Sequence, residues 1–204
     1  MITTHTPLRE TDLPALHRRA LSSTRRFLVA VEANQWSNMT PCDDWDVRSV
    51  ANHIVAGNLW AAELASGRTI DDVGDRLNGN QLGDNPIEAF DRSAEMAAHA
   101  FETPGVLRAP CAVSYGPVPG SVYLGHRFLD VLIHGWDIAV ATGQEPALDP
   151  SLVEACQTVI EPQIEQLQAS GMFGSVRGTG QSTDPQARLL QALGRTVPQP
   201  MPVL

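Results

Sequence analysis

The chain has 204 residues and a formal charge of −9, with 43% hydrophobic, 18% charged and 5% aromatic residues. That length suits one domain with a well-filled core, and a mix rich in alanine and leucine suits packed helices better than a β-sandwich. The acidic balance, without lysine and arginine clusters, excludes a nucleic-acid partner, and three widely separated cysteines, Cys42, Cys111 and Cys156, fit a reducing cytosol rather than a disulfide framework.

The opening stretch MITTHTPLRETDLPALHRRA lacks the apolar core of a signal peptide, and no run approaches the ~18 apolar residues of a membrane span. A soluble, cytoplasmic protein without membrane contact is the expectation. Leu13 to about Ala33 reads as a first amphipathic helix after Thr11 or Asp12 as cap, with Leu16, Ala20, Leu21, Phe27, Leu28 and Val31 on one face. A Thr-Pro turn follows, and Asp44 or Asp46 caps a second helix that runs to about Ser66 and stops at Gly67. Its core face is Val47, Val50, Ala51, Ile54, Val55, Leu59 and Ala62, with His53 at the margin. Residues 67–85, rich in Gly, Asp and Asn, form a long connection with room for one helical turn.

Pro86, after Asp84 or Asn85, launches a third helix to about Glu102. The segment TPGVLRAPCAVSYGPVPGS is an excursion with a short β-like piece at Cys111 to Tyr115. A fourth helix spans about Ser121 to Thr142 and a fifth about Ser151 to Ala169. The glycine-rich strip SGMFGSVRGTGQS loops, and DPQARLLQALGR is a final helix capped by Asp184 with Pro185 at its first position. The fold expectation is all-α, a single domain over 1–204, with a four-helix core at about 10–143, long crossovers and a helical extension at about 150–204.

The fourth helix carries an unusual load. In FLDVLIHGWDIAVATG, Asp130, His134 and Asp137 fall within roughly 60° of one another, at about 100° per residue, and His126 lies one turn back on the same edge. Nearly everything else around the cylinder is apolar or small, the pattern of a helix buried on most of its circumference. Carboxylates and imidazoles in such a setting are costly unless paired or bound to a metal. Asp130 and His134, spaced i, i+4, can converge on one ion, and His53 from a facing helix would complete two histidines and one carboxylate. That set leaves open positions and suits Zn²⁺ or another first-row divalent ion. Without an ion, Asp130 and His134 make an ion pair and His53 a satisfied boundary residue. Asp137, three residues from His134, is placed to hydrogen-bond the imidazole or to act as an outer ligand.

Other chemistry has less support. No G-x-S-x-G elbow occurs, VRGTGQ lacks the following lysine of a phosphate loop, and Cys42 beside Asp43 and Asp44 reads as structural. His126 reads as solvent-facing, and nothing specific marks Tyr115 or Arg127 as substrate contacts.

Three motifs in this order, TPCDDWDVRSVANHIVAGN, FLDVLIHGWDIAVATG and DPQARLLQALGR, resemble the actinobacterial metal-binding family related to the N-terminal domain of mycothiol-dependent maleylpyruvate isomerase, within the DinB-like superfamily. The resemblance spans nearly the whole chain. It implies a DinB-like four-helix bundle holding a divalent metal, Zn²⁺ foremost with Ni²⁺ an alternative, by His53, Asp130 and His134. In the isomerase the carboxylate is glutamate, so Asp130 reaches about one methylene less far. The resemblance further implies mycothiol or another small thiol as cosubstrate and a transferase or isomerase reaction on small electrophiles. The alternative is a noncatalytic metal-binding or stress-associated protein that sequesters a ligand. A homodimer, burying spare helix faces, fits bundles of this kind.

Overall fold

The computed structural model describes residue 9, residues 12–163 and residues 182–196. The elements in chain order are α1 Leu13–Val29, α2 Val47–Ala65, α3 Ile70–Val73 followed by a 3₁₀ turn at Gly74–Leu77, and α4 Pro86–Glu102. Strands β1 Pro110–Val113 and β2 Gly116–Pro119 come next, then α5 Gly120–Ala141, α6 Pro150–Ile160 with a 3₁₀ turn at Glu161–Gln163, and α7 Pro185–Ala192. The chain divides into two compact units, residues 1–147 and residues 148–204. In the first, the long helices pack in the cycle α1, α5, α2, α4. In the second, α6 packs on α7.

Capping side chains set most helix starts. Asp46 accepts from Ser49 N at 2.7 Å, Asn85 from Glu88 N at 3.3 Å and Asp184 from Ala187 N at 3.0 Å, each satisfying an orphan donor of the first turn. Asp12 differs from expectation: it precedes α1 without a capping bond, and its carboxylate takes the Arg9 guanidinium instead, at 3.0 Å. The helix α1 also closes at Val29, short of Ala33. Beyond it the chain turns away so that Gln35 donates to Thr142 O at 3.2 Å and Asn38 to Ala141 O at 2.9 Å, while Gln144 donates to Phe27 O at 3.0 Å. The last carbonyls of α1 and α5 thus find donors in each other's exit loops, which a longer α1 would remove.

Two further expectations change. The β-like piece pairs with a second strand in an antiparallel hairpin, Cys111 opposite Val118 and Val113 opposite Gly116. Prolines 117 and 119 concealed that strand, yet both are tolerated because a two-stranded hairpin has only edges. The fifth helix leaves α geometry at Glu161, where Pro162 has no N–H to continue the ladder; residues 164–169 of that expectation, and the glycine-rich strip up to residue 181, lie outside the described residues.

The helix α5 is the axis of the first unit. From Arg127 to Ala139 every residue is buried except Asp130, as the sequence pattern requires of a helix with apolar flanks on both sides. Its approach to α1 is close: a Cβ on Gly135 would lie 2.3 Å from Thr24 Oγ1, and that hydroxyl donates to Val131 O at 2.8 Å. The inward face of α2 departs from the expected one after Val55, continuing through Asn58, Ala61 and Leu64 rather than Leu59 and Ala62. A fully buried asparagine on that face needs a polar partner, and the partner is Arg127.

Candidate functional site

His53, Asp130 and His134 come together where α2 faces α5, with one ligand atom of each within 4.8 Å of the others. Asp130 Oδ1 stands 3.1 Å from His53 Nε2 and 3.4 Å from His134 Nε2. In a tetrahedral site with bonds of ~2.0–2.1 Å the ligand atoms lie about 3.3 Å apart, and both oxygen-to-nitrogen separations are close to that value. His134 is nearly closed off at 6% exposure, Asp130 has 16% and His53 36%. Of the three, His53 is the most open to solvent.

Each of the two α5 groups is fixed from behind. His134 Nδ1 donates to Asp137 Oδ2 at 2.9 Å, which orients the ring and leaves Nε2 facing Asp130; Asp137 is fully buried. Arg127 Nη1 donates to Asp130 Oδ2 at 2.8 Å, so the guanidinium occupies one oxygen and Oδ1 is left to the histidines. Arg127 Nη2 donates to Asn58 Oδ1 at 3.2 Å, Asn58 Nδ2 to Ser93 Oγ at 3.3 Å, and Ser93 to Phe90 O at 3.0 Å. A polar chain through the core thus ties Asp130 to α2 and α4. Gly57, one turn beyond His53, makes it feasible: a Cβ there would sit 2.3 Å from Arg127 Nη1.

The electrostatics follow from these contacts. Burial pushes the Asp130 carboxyl up, but His53, Arg127 and His134 around it prevail and hold it well below the usual carboxylate range. Burial likewise lowers His134, and the Asp130 and Asp137 carboxylates reverse that and raise it to about 9. Without a cation, then, Asp130 is ionised and His134 protonated, an ion pair at the floor of the site. The atoms that make this ion pair are the same ones that could hold a metal ion once the imidazole proton leaves.

Three neighbours escaped sequence reasoning. Trp45 stands against both imidazoles, with ring centroids 4.7 Å from His53 and 5.7 Å from His134; the only sequence signal was its place just before the α2 cap. Arg127, which had no sequence support as a contact, holds Asp130. Cys42, read as structural, has its sulfur within 4.8 Å of ligand atoms of His134 and Asp137; its acidic sequence neighbours Asp43 and Asp44 are exposed, so they misrepresent its surroundings. His126, expected to face solvent, is half-buried, with Nδ1 2.6 Å from the Tyr115 hydroxyl at the hairpin turn.

Residues 17–139 match the family model of the mycothiol maleylpyruvate isomerase N-terminal domain. Uncharacterized proteins from two strains of Mycobacterium tuberculosis are each 31% identical over 185 residues, spanning 89% of this chain and 96% of theirs. Crystal structures of mycothiol-dependent maleylpyruvate isomerase and of a histidine-to-alanine mutant of it superpose with a TM-score of 0.63 at 16% identity, covering 82% of this chain and 75% of that one. The fold is accordingly the DinB-like helical bundle with a C-terminal helical extension. No helix among the described residues is long and apolar enough to cross a membrane.

Proposed function

Because the chain belongs to the mycothiol maleylpyruvate isomerase N-terminal domain family, we propose that it is a divalent-metal-binding bundle that uses a small thiol, mycothiol or a relative, to transfer to or isomerise small electrophiles. The observation that carries this reading is Asp130 Oδ1 poised between the Nε2 atoms of His53 and His134 at 3.1 and 3.4 Å. A first-row divalent ion such as Zn²⁺ or Ni²⁺ bound there supplies Lewis acidity that favours the thiolate form of an incoming thiol at neutral pH.

The chain's own residues set the conditions for that chemistry. Asp137 keeps the His134 proton on Nδ1 and Nε2 available. Arg127 neutralises the outer half of Asp130, so the carboxylate presents a single oxygen. Trp45 provides a flat apolar wall beside both imidazoles against which an organic substrate can lie, and the partial exposure of His53 marks the side of entry. Two His and one carboxylate leave at least one position for an exogenous ligand, as catalytic rather than structural sites do. Cys42, Cys111 and Cys156 form no disulfide, which supports a cytoplasmic setting for this reading.

The test is thiol-dependent consumption of an electrophile such as maleylpyruvate by metal-loaded protein. Activity that requires both metal and thiol and is lost in His134→Ala supports the enzyme. Undiminished activity in that variant contradicts it, and metal binding without any turnover leaves a ligand-sequestering protein.

A further inference from the structure

We propose that Cys42, His134 and Asp137 form a second, sulfur-containing cation site that takes a soft divalent ion such as Cd²⁺ on the far side of the His134 ring from Asp130. Its donor set is one sulfur, one imidazole nitrogen and one carboxylate oxygen, all within 4.8 Å of each other and drawn from two distant segments. With zinc-like bonds of ~2.3 Å to sulfur and ~2.0–2.1 Å to nitrogen, tetrahedral ligation places those two atoms about 3.6 Å apart, and the larger Cd²⁺, with longer bonds, tolerates a wider separation.

The backbone around Cys42 is held for this. Cys42 N donates to Thr40 Oγ1 at 3.2 Å, the Thr40 hydroxyl donates to Trp45 O at 2.9 Å, and Trp45 N donates to Cys42 O at 3.1 Å. Asp44 completes the turn in the left-handed region at φ 66°, a conformation that Asp adopts more readily than most residues. The turn presents the sulfur toward α5 and sets Trp45 on the His134 ring. Asp137 is fully buried and Cys42 half-buried, so a thiolate beside that carboxylate would be repelled unless a cation lay between them. Binding is therefore ion uptake with release to solvent of both the Cys42 thiol proton and the proton that His134 Nδ1 donates to Asp137, and it selects ions that prefer sulfur. The two donor sets share His134 and differ in their other two residues, so His53→Ala, which removes a donor of the first set and none of this one, separates the two proposals.

The experiment is Cd²⁺ titration of the full chain, reading sulfur-to-cadmium charge-transfer absorbance and, in parallel, alkylation of Cys42 by iodoacetamide followed by peptide mass spectrometry. Cys111 and Cys156 are buried and serve as the unreactive reference. The expected results are absorbance that grows to saturation in the wild type and in His53→Ala and is lost in Cys42→Ser and in His134→Ala, with Cd²⁺ protecting Cys42 from alkylation. Absence of sulfur absorbance in the wild type, its persistence in Cys42→Ser, or undiminished protection in His134→Ala would overturn the proposal. The alkylation arm on the wild type needs no variant to fold. Loss of the absorbance in His53→Ala would also overturn it, because the sulfur would then belong to the other site.

Discussion

At the scale of single residues, Arg127 shows how much of the site depends on a group that never faces the ligand position. It is 6% exposed, and its charge is spread over Asp130, Asn58 and the Ile54 carbonyl. A buried pair broken on one side leaves an uncompensated charge, worth about 3–5 kcal/mol, so Arg127→Leu should destabilise by that order in urea unfolding. Gly57→Ala reaches the same group from behind: the added methyl displaces the guanidinium, costing about 1–3 kcal/mol, and weakens metal uptake by freeing Asp130. Unchanged stability and metal content in Gly57→Ala would show that Arg127 does not hold the carboxylate. His17 gives a second residue-scale prediction. It is fully buried on α1, neither ring nitrogen has a hydrogen-bond partner among the described residues, and burial, aided by the Arg127 and Arg18 charges, lowers it from 6.5 to about 3. The unfolded chain takes up a proton below about 6.5 while the fold refuses it until about 3. Stability is therefore fully present above 6.5 and falls as pH drops through that window, by several kcal/mol at about 1.4 kcal/mol per pH unit. In His17→Leu this acid limb should flatten, so that its melting temperature gains on the wild type between pH 7 and pH 4; a constant difference would contradict the assignment.

At the scale of elements, much of the architecture could be read from residue types. Proline after an Asp or Asn cap marks the starts of α4, α6 and α7, and the polar stripe of α5 within an apolar cylinder identifies both the central helix and its costly groups. The remainder depends on how elements meet. Asn58 enters the core because Arg127 crosses from α5, and no periodicity within α2 could reveal that. Cys42 and Trp45 reach the imidazoles through a turn closed by Thr40, and β2 is hidden by its prolines. The shorter α1 follows from side chains capping helices about a hundred residues away in sequence. The contact between α1 and α5 is itself testable. Gly135→Ala gains about 1 kcal/mol in helix propensity, but the new methyl would meet Thr24 at its hydroxyl, its Cβ and its Cα, at 2.3, 3.1 and 3.2 Å. Rotating Thr24 cannot relieve the last of these, so overpacking of about 1–3 kcal/mol prevails and the variant should melt below the wild type. A variant as stable as the wild type would mean that α1 and α5 can separate at little cost.

At the scale of the whole molecule, the proposed reaction rests on the coupling of the ion to the bundle. The bundle brings two imidazoles and a carboxylate together between α2 and α5, an arrangement that the unfolded chain lacks, so the proposed ion would stabilise the fold on binding. Metal at about 100 times its dissociation constant should add roughly 2.7 kcal/mol to stability, seen as a melting temperature that climbs with metal concentration in the wild type but not in Asp130→Asn. The central claim, that His53, Asp130 and His134 bind one divalent ion together, is tested most directly by elemental analysis of untagged protein prepared without chelator, wild type beside His53→Ala, Asp130→Asn and His134→Ala. A stoichiometric first-row ion in the wild type and its loss from all three variants is the predicted result; metal-free wild-type protein from metal-replete cells, or an ion retained by every variant, would contradict it.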